Sequence, residues 1–194
     1  MRILVFDDNE ANREAARIQL QDHDLTIVGT YDEAQKALAP RIDQQKFKIA
    51  IQNTDGTDDL NYSMIDKLRI DATIRPHHAF DVVLTDLLVP ASSQHQGSME
   101  LIGQQMPVGI FIGLLAAVGA NVPYVAVFTD SDHHDHPASA CFDSFNYVCG
   151  ANKPVAFKIE SSKVLLVNYC GWFKYDKNEV RVKNWAALLD YLVE

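Results

Sequence analysis

The sequence predicts an α/β protein with a doubly wound parallel sheet of about five strands. Continuous apolar runs, typical of strands buried on both faces, occur at residues 2–6, 81–85 and 121–128. Helix-like patterns separate these runs, so strands and helices alternate along the chain. The length of 194 residues is sufficient for one domain with a sizeable core.

The first forty residues predict the order β-α-β-α. Residues 2–6 form the first strand, and Asn9 is placed to cap the helix that follows, with Asn12, Arg13 and Arg17 on its wet face. Residues 25–28 form a second strand. Thr30 and Glu33 have the spacing of a capping box for a second helix, which Pro40 ends.

The remaining chain continues this pattern with three longer interruptions. We expect a single domain over residues 1–194 with insertions at about 41–79, 91–105 and 155–180 and no separate output domain. Within the first insertion, residues 47–52 predict a strand and residues 62–70 a helix. Residues 108–118 predict a helix buried all round, and residues 182–193 a C-terminal helix with one apolar face, formed by Trp185, Leu188, Leu189 and Leu192.

Composition excludes several classes of partner and site. A formal net charge of −9 argues against nucleic acid or an anionic membrane as a direct partner. The three cysteines form no C-x-x-C pair, which predicts free thiols rather than a disulfide framework or a zinc site. No signal peptide is evident, and the apolar stretch 108–120 is shorter than the about 20 residues that span a bilayer. We therefore expect a cytoplasmic protein.

Chemically useful side chains end three of the predicted strands. Asp7 and Asp8 follow the first apolar run, Asp86 ends the second, and Thr129 ends the third. The carboxyl ends of parallel strands meet at one edge of a sheet, so we expect these groups to converge there. Clustered carboxylates repel one another unless a cation binds, and oxygen ligands favour Mg²⁺. With a nearby lysine, such a pocket is suited to phosphoryl transfer onto an aspartate.

Three blocks of sequence carry a resemblance to a known family. Residues 3–13 (ILVFDDNEANR), 80–90 (FDVVLTDLLVP) and 122–129 (VPYVAVFT) resemble, in order, the conserved strand ends of receiver domains of two-component response regulators. The resemblance implies a flavodoxin-like, chemotaxis-regulator-like topology. It also implies a phosphoprotein acting in signal transduction, with Mg²⁺ as its cofactor.

The resemblance also implies roles for individual residues. Asp86 corresponds to the phosphoacceptor, Asp8 to the direct metal ligand and Asp7 to the ligand that acts through water. The backbone carbonyl of Leu88 completes the metal ligands. Thr129 corresponds to the hydroxyl that bonds the phosphoryl group. The family lysine has two candidates, Lys153 in a Lys-Pro dipeptide, which we favour, and Lys158 as its rival.

Three functions compete. The first is a receiver of a phosphorelay, phosphorylated at Asp86 by a histidine kinase or histidine phosphotransfer protein. Its downstream protein target is unknown. Its only enzymatic steps would be self-phosphorylation and slow autodephosphorylation. The second is a pseudo-receiver, an interaction module independent of phosphate. The third is a Mg²⁺-dependent phosphohydrolase of the haloacid dehalogenase-like class, which we rank last because that class has a second aspartate where Asn9 stands.

Other polar clusters are interpreted as solvated loops. His133, His134 and His136 form a short histidine-rich segment, and His77-His78 a second one, but neighbouring histidines in one loop rarely converge on one ion. The acidic residues between positions 55 and 59 lack the spacing of a calcium-binding loop.

Overall fold

The computed structural model describes residues 1–53, 62–74, 79–92, 99–131, 134–141, 144, 153–168 and 170–194. The chain forms two compact units. The larger comprises Met1–Leu38 and His78–Glu194, and the smaller comprises Ala39–His77. The smaller unit spans nearly the same residues as the insertion expected at 41–79.

The elements are numbered in chain order. The strands are β1 (Arg2–Phe6), β2 (Asp24–Val28), β3 (Arg41–Ile42), β4 (Thr73–Ile74), β5 (Val82–Asp86), β6 (Val89–Pro90), β7 (Gln105–Met106), β8 (Tyr124–Phe128), β9 (Val155–Ile159), β10 (Ser162–Val167), β11 (Phe173–Tyr175) and β12 (Arg181–Lys183). The α-helices are α1 (Glu10–Gln19), α2 (Tyr31–Leu38), α3 (Gln44–Gln52), α4 (Tyr62–Asp71), α5 (Val108–Leu114) and α6 (Trp185–Val193). A π-helical turn, Leu115–Gly119, continues α5.

A central sheet of six strands organises the larger unit, in the order β2-β1-β5-β8-β10-β9. The first five strands pair in parallel, and only β9 runs antiparallel, at the edge next to β10. The predicted α/β architecture with a mainly parallel sheet is therefore confirmed. The sixth strand was not expected: residues 155–180, predicted as an insertion, supply both β9 and β10 to this sheet.

Helices cover both faces of the sheet. Residues 3–6 of β1 are fully buried, and successive side chains point to opposite faces. Ile3 and Val5 pack in one core with side chains of α1 and α6. Leu4 and Phe6 pack in the other core with side chains of α2, α5 and the π-helical turn. Burial on both faces explains why the strand sequence is continuously apolar.

Helix caps confirm several of the sequence signals. The Asn9 side chain accepts a hydrogen bond from the Ala11 N–H at 2.9 Å and begins α1. At the start of α2 the capping box is reciprocal, because Glu33 N–H donates to the Thr30 hydroxyl and Thr30 N–H donates to the Glu33 carboxylate. In α6 all four predicted core residues are buried.

Three predicted elements differ from the structure. The C-terminal helix, predicted over residues 182–193, begins at Trp185, because residues 181–183 form strand β12. Residues 47–52 are not a strand but belong to helix α3, which Asp43 caps by accepting from the Lys46 N–H at 2.9 Å. Helix α5 and its π-helical turn are not buried all round: Phe111, Leu114 and Val118 are exposed, since only one side of the helix faces the sheet.

The smaller unit consists of helices α3 and α4 and the antiparallel pair β3–β4. In the part of the chain that the structure describes, every helix is too short or too polar to span a lipid bilayer.

Candidate functional site

The predicted strand-end residues meet at the carboxyl edge of the parallel sheet. Asp7 directly follows β1, Asp86 is the last residue of β5, and Thr129 directly follows β8. The register sets Phe6 opposite Thr85 and Asp86 opposite Phe128, so the three strands end at the same level. One oxygen each of Asp7, Asp8 and Asp86 lie within 4.8 Å of one another.

A buried lysine that the sequence analysis missed lies between two of these carboxylates. The Lys183 ammonium is 2.7 Å from Asp7 Oδ2 and 2.9 Å from Asp86 Oδ1. Its side chain is fully buried, and its Nζ lies 5.3 Å from the ring centroid of Phe128 and 5.4 Å from that of Trp185. The aromatic faces and two anions together stabilise the charge in an otherwise apolar setting.

The sequence analysis favoured Lys153, with Lys158 as its rival, but the lysine paired with the described site carboxylates is Lys183. Lys153 precedes β9 and is exposed, and Lys158 is exposed within β9. Because β9 is antiparallel, Lys158 pairs with Lys163, which is itself opposite Tyr124 at the start of β8. Lys158 is therefore at the opposite end of the sheet from the carboxylates.

A short hairpin brings Lys183 to the site. Strands β11 and β12 form a separate two-stranded sheet, with Phe173 paired to Lys183. Asn184 then caps α6 by accepting from the Ala187 N–H. One signal was available in the sequence: Lys183 stands immediately before the N-cap of the last helix, in the segment Arg181-Val182-Lys183 whose alternation is typical of a strand.

Asp7 is fully buried and has both oxygens bonded. Its Oδ1 accepts from the Asn9 N–H at 2.9 Å, and its Oδ2 accepts from Lys183. Burial raises the pKa of Asp7, and the attraction of Lys183 opposes that rise. The backbone here is also fixed, because the Arg13 guanidinium donates to the carbonyls of Asp7 and Asp8, each at 2.7 Å.

Asp86 is 4% exposed, and burial raises its pKa to about 8 against the opposing charge of Lys183. Its bonds to described residues fall on Oδ1, which accepts from the Leu87 N–H at 2.7 Å and from Lys183. For Lys183 itself, burial works to lower the pKa, but the charges of Asp7 and Asp86 outweigh burial and raise it. The lysine therefore stays protonated at neutral pH.

The donor set suits a hard divalent cation. Asp8 is partly exposed, and its Oδ2 accepts from the Gln105 side chain at 3.2 Å. With all three carboxylates ionised, the cluster and the ammonium group would carry a formal charge of −2, which one divalent cation would neutralise. The side-chain atoms available as metal ligands are all carboxylate oxygens, the type of ligand that Mg²⁺ prefers.

The other predicted site residues lie near the same edge of the sheet. Thr129 is buried; its hydroxyl accepts from the Ser131 N–H at 3.1 Å, and its own N–H donates to the Val167 carbonyl. Leu88 is buried in the short connection between β5 and β6, with an apolar side chain.

The histidine clusters do not form a described metal site. His134 is exposed, and His136 Nδ1 accepts a backbone N–H from Ala138 in a local turn. His133 and the pair His77-His78 lie outside the described residues, as do the acidic residues between positions 55 and 59.

Neither protein-family profiles nor curated proteins give a match to this chain.

Proposed function

We propose that this protein is a receiver of a two-component phosphorelay, in which Asp86 accepts a phosphoryl group with the help of Mg²⁺. The observation that carries the proposal is the buried Lys183 between Asp7 and Asp86, beside Asp8, at the carboxyl edge of a parallel sheet. The order of the five parallel strands is also the flavodoxin-like 2-1-3-4-5 order, which supports the receiver topology.

Asp86 supplies the nucleophile in this proposal. Its Oδ2 attacks phosphorus, a P–O or P–N bond to the donor breaks, and the leaving group departs with the bonding electron pair, which leaves an acyl phosphate on Asp86. The Lys183 ammonium, 2.9 Å from Oδ1, neutralises charge on the product. Thr129 offers a hydroxyl for a phosphoryl oxygen.

Asp8 and Asp86 would hold Mg²⁺ directly, with Asp7 acting through water and the Leu88 carbonyl completing the set. When bound, the ion supplies charge neutralisation for the phosphoryl oxygens. Its charge also favours the ionised form of Asp86, whose pKa of about 8 otherwise keeps much of it protonated at neutral pH. Asp86 would therefore be a poor nucleophile without the cation.

The burial of Asp86 and the apolar neighbour Leu88 predict a long-lived acyl phosphate. Hydrolysis requires a water aligned with phosphorus, and Leu88 has no polar side-chain group to position one. The donor would be a phosphohistidine on a kinase or phosphotransfer protein. The added charge would then change a protein-binding surface through Thr129.

The test is the intact mass of the protein after incubation with acetyl phosphate, with and without Mg²⁺. We expect a gain of about 80 Da, one phosphoryl group, that requires Mg²⁺ and is absent in Asp86→Asn. The matched control is Asp81→Asn, a partly exposed aspartate directly before the start of the same strand, which should still be phosphorylated. Phosphorylation that persists in Asp86→Asn would contradict the proposal.

A pseudo-receiver is the second candidate, and the burial of Asp86 favours it. A carboxyl group that is 4% exposed, with a pKa of about 8, can serve as a permanent structural partner of Lys183. This candidate predicts that neither acetyl phosphate nor beryllofluoride modifies Asp86 in a folded protein at saturating Mg²⁺. A phosphohydrolase using Asp7 as the nucleophile gains no support, because Asp7 is fully buried with both oxygens bonded.

A further inference from the structure

Asn12 links three parts of the site from inside helix α1. Its side-chain amide donates to both carboxylate oxygens of Asp7 at 3.3 Å, and its Oδ1 accepts the backbone N–H of Lys183 at 3.1 Å. Its backbone carbonyl accepts from the Trp185 indole N–H at 2.9 Å. The sequence pattern placed Asn12 on the wet face of the helix, whereas it is 2% exposed.

These bonds matter because of how Lys183 is held. Within the described residues, strand β12 pairs with β11 alone and is not part of the central sheet, so no described sheet ladder fixes it relative to Asp7 or Asp86. Among the described residues, polar contacts between α1 and this segment come from Asn12 and from Gln19. The side chain of Asn12 alone also bonds a site carboxylate.

The amide suits this place for a specific chemical reason. The carboxylate of Asp7 needs a donor, and the N–H of Lys183 needs an acceptor; a primary amide supplies both from one short side chain. An aspartate of the same shape would keep the acceptor but lose the donor, and it would put a further carboxylate against Asp7. Both partners are buried, so neither can be satisfied by bulk water if Asn12 is removed.

We infer that Asn12 is a positioning residue that fixes the Lys183 ammonium against Asp7 and Asp86. Its side-chain NH₂ group orients Asp7. Its side-chain oxygen positions the backbone of Lys183 in β12, and its backbone carbonyl positions the Trp185 indole. The inference rests on the proposed function for its effect on phosphoryl transfer. The placement of the ammonium group can be measured without that reaction.

Gln19 provides a matched control. Its side chain donates to the Lys183 carbonyl at 3.0 Å and accepts from the Ala186 N–H at 3.2 Å. Like that of Asn12, its side chain accepts one backbone N–H from this neighbourhood, but its side-chain donor bond also goes there and not to a carboxylate. Gln19 makes no hydrogen bond to Asp7. Gln19→Ala therefore removes hydrogen bonds between α1 and residues 183–186 but keeps those between Asn12 and Asp7.

The first measurement is the ¹H–¹⁵N NMR signal of the Lys183 ammonium group, assigned by its loss in Lys183→Met. A buried, paired ammonium exchanges its protons slowly with water and gives a visible signal. We expect Asn12→Ala to abolish or strongly shift this signal and Gln19→Ala to retain it. An unchanged signal in a folded Asn12→Ala protein, or equal changes in both variants, would overturn the inference.

The second measurement is the rate of phosphorylation by acetyl phosphate at saturating Mg²⁺. We expect a loss of about tenfold or more in Asn12→Ala and less than about twofold in Gln19→Ala, each measured under conditions where urea unfolding shows the variant to be fully folded. Equal rate losses would show a purely structural role. If Asn12→Ala does not fold, Asn12→Ser takes its place. If the wild-type protein is not phosphorylated, the proposed function fails, and the ammonium signal alone decides the inference.

Discussion

Removing the Lys183 ammonium should destabilise the fold strongly and in a pH-dependent way. Lys183→Met preserves much of the side-chain volume but leaves Asp7 and Asp86 buried without their cation. Breaking a buried ion pair from one side costs about 3–5 kcal/mol, because the remaining charge is uncompensated. Folded proteins have a total stability of about 5–15 kcal/mol, so this loss is a large fraction of it.

The pH dependence follows from the carboxylates. Burial already raises the pKa of Asp7 and of Asp86 in the wild-type protein, and Lys183 opposes both rises. Without the lysine both pKa values rise further. The extra proton that the folded variant holds below pH 8 is on Asp7, because Asp86, with its pKa of about 8, is already largely protonated there in the wild-type protein. A raised folded-state pKa means stability that is present at low pH and lost as the pH rises. The difference in free energy of unfolding between the wild-type protein and the variant therefore grows with pH, by up to about 1.4 kcal/mol per pH unit for one extra bound proton.

The assay is urea unfolding followed by tryptophan fluorescence. Both tryptophans, Trp172 and Trp185, lie in the larger unit, so the signal reports that unit. We expect Lys183→Met to lose about 3–5 kcal/mol at pH 8 and only about 1 kcal/mol at pH 5. Lys158→Met, at an exposed lysine, should stay within about 0.5 kcal/mol. A loss below about 1 kcal/mol at pH 8, or equal losses at both pH values, would refute the reasoning.

Three further substitutions test the site and its surroundings. Asp86→Asn should stabilise the cation-free protein by about 1–3 kcal/mol at pH 8 and by less at pH 5, because it removes a buried carboxyl whose pKa is raised to about 8; a destabilised variant in the same urea assay would contradict this. Gly109→Ala should disrupt the start of α5 and lower the melting temperature sharply, since an added Cβ would lie 1.6 Å from the Asp86 carbonyl oxygen; Gly119→Ala meets only a leucine side chain and should cost far less. Glu33→Gln keeps the capping box but removes a charge near the N-terminus of α2, so it should lose about 0.3–1 kcal/mol at pH 7 and nothing at pH 3. The Gly29 N–H and the Thr30 hydroxyl lower the pKa of Glu33, so its charge contributes at pH 7 and is lost as the pH falls; a loss that persists at pH 3 would contradict this role of the charge.

Local sequence was sufficient for the strand ends and the caps. Asp7 and Asp86 directly follow or end fully buried apolar runs, so a strand buried on both faces places them at the carboxyl edge without further information. The pair Thr30 and Glu33 is likewise determined by neighbours three residues apart. In each case the pattern and the contact lie within one element.

The roles of Lys183 and Asn12 could not be predicted from local sequence, because both depend on contacts between distant parts of the chain. Lys183 comes from a three-residue strand whose position depends on packing against α1, and no local pattern encodes that contact. A Lys-Pro dipeptide drew attention to Lys153 instead. Asn12 has the polarity of a surface residue, and only its partners Asp7 and Lys183 explain its burial.

Helix α3 shows a different limit of prediction from sequence, because its residues have a strand-like pattern. Residues 47–51 alternate in a way that a half-buried strand would, with Phe47, Ile49 and Ile51 on one side. None of the residues of α3 is buried, so no core face imposed a helical period on the sequence. The cap at Asp43 was the remaining local sign of a helix.

The separation of Asp7 and Lys183 along the chain, 176 residues, has a consequence for biosynthesis. The amino-terminal carboxylates leave the ribosome early, whereas the lysine that compensates them emerges only with the last residues of this sequence. Until then the nascent chain carries an acidic cluster that cannot be buried at low cost. A chain that stops before residue 183 would contain most of the sheet but lack the ammonium group that compensates Asp7 and Asp86.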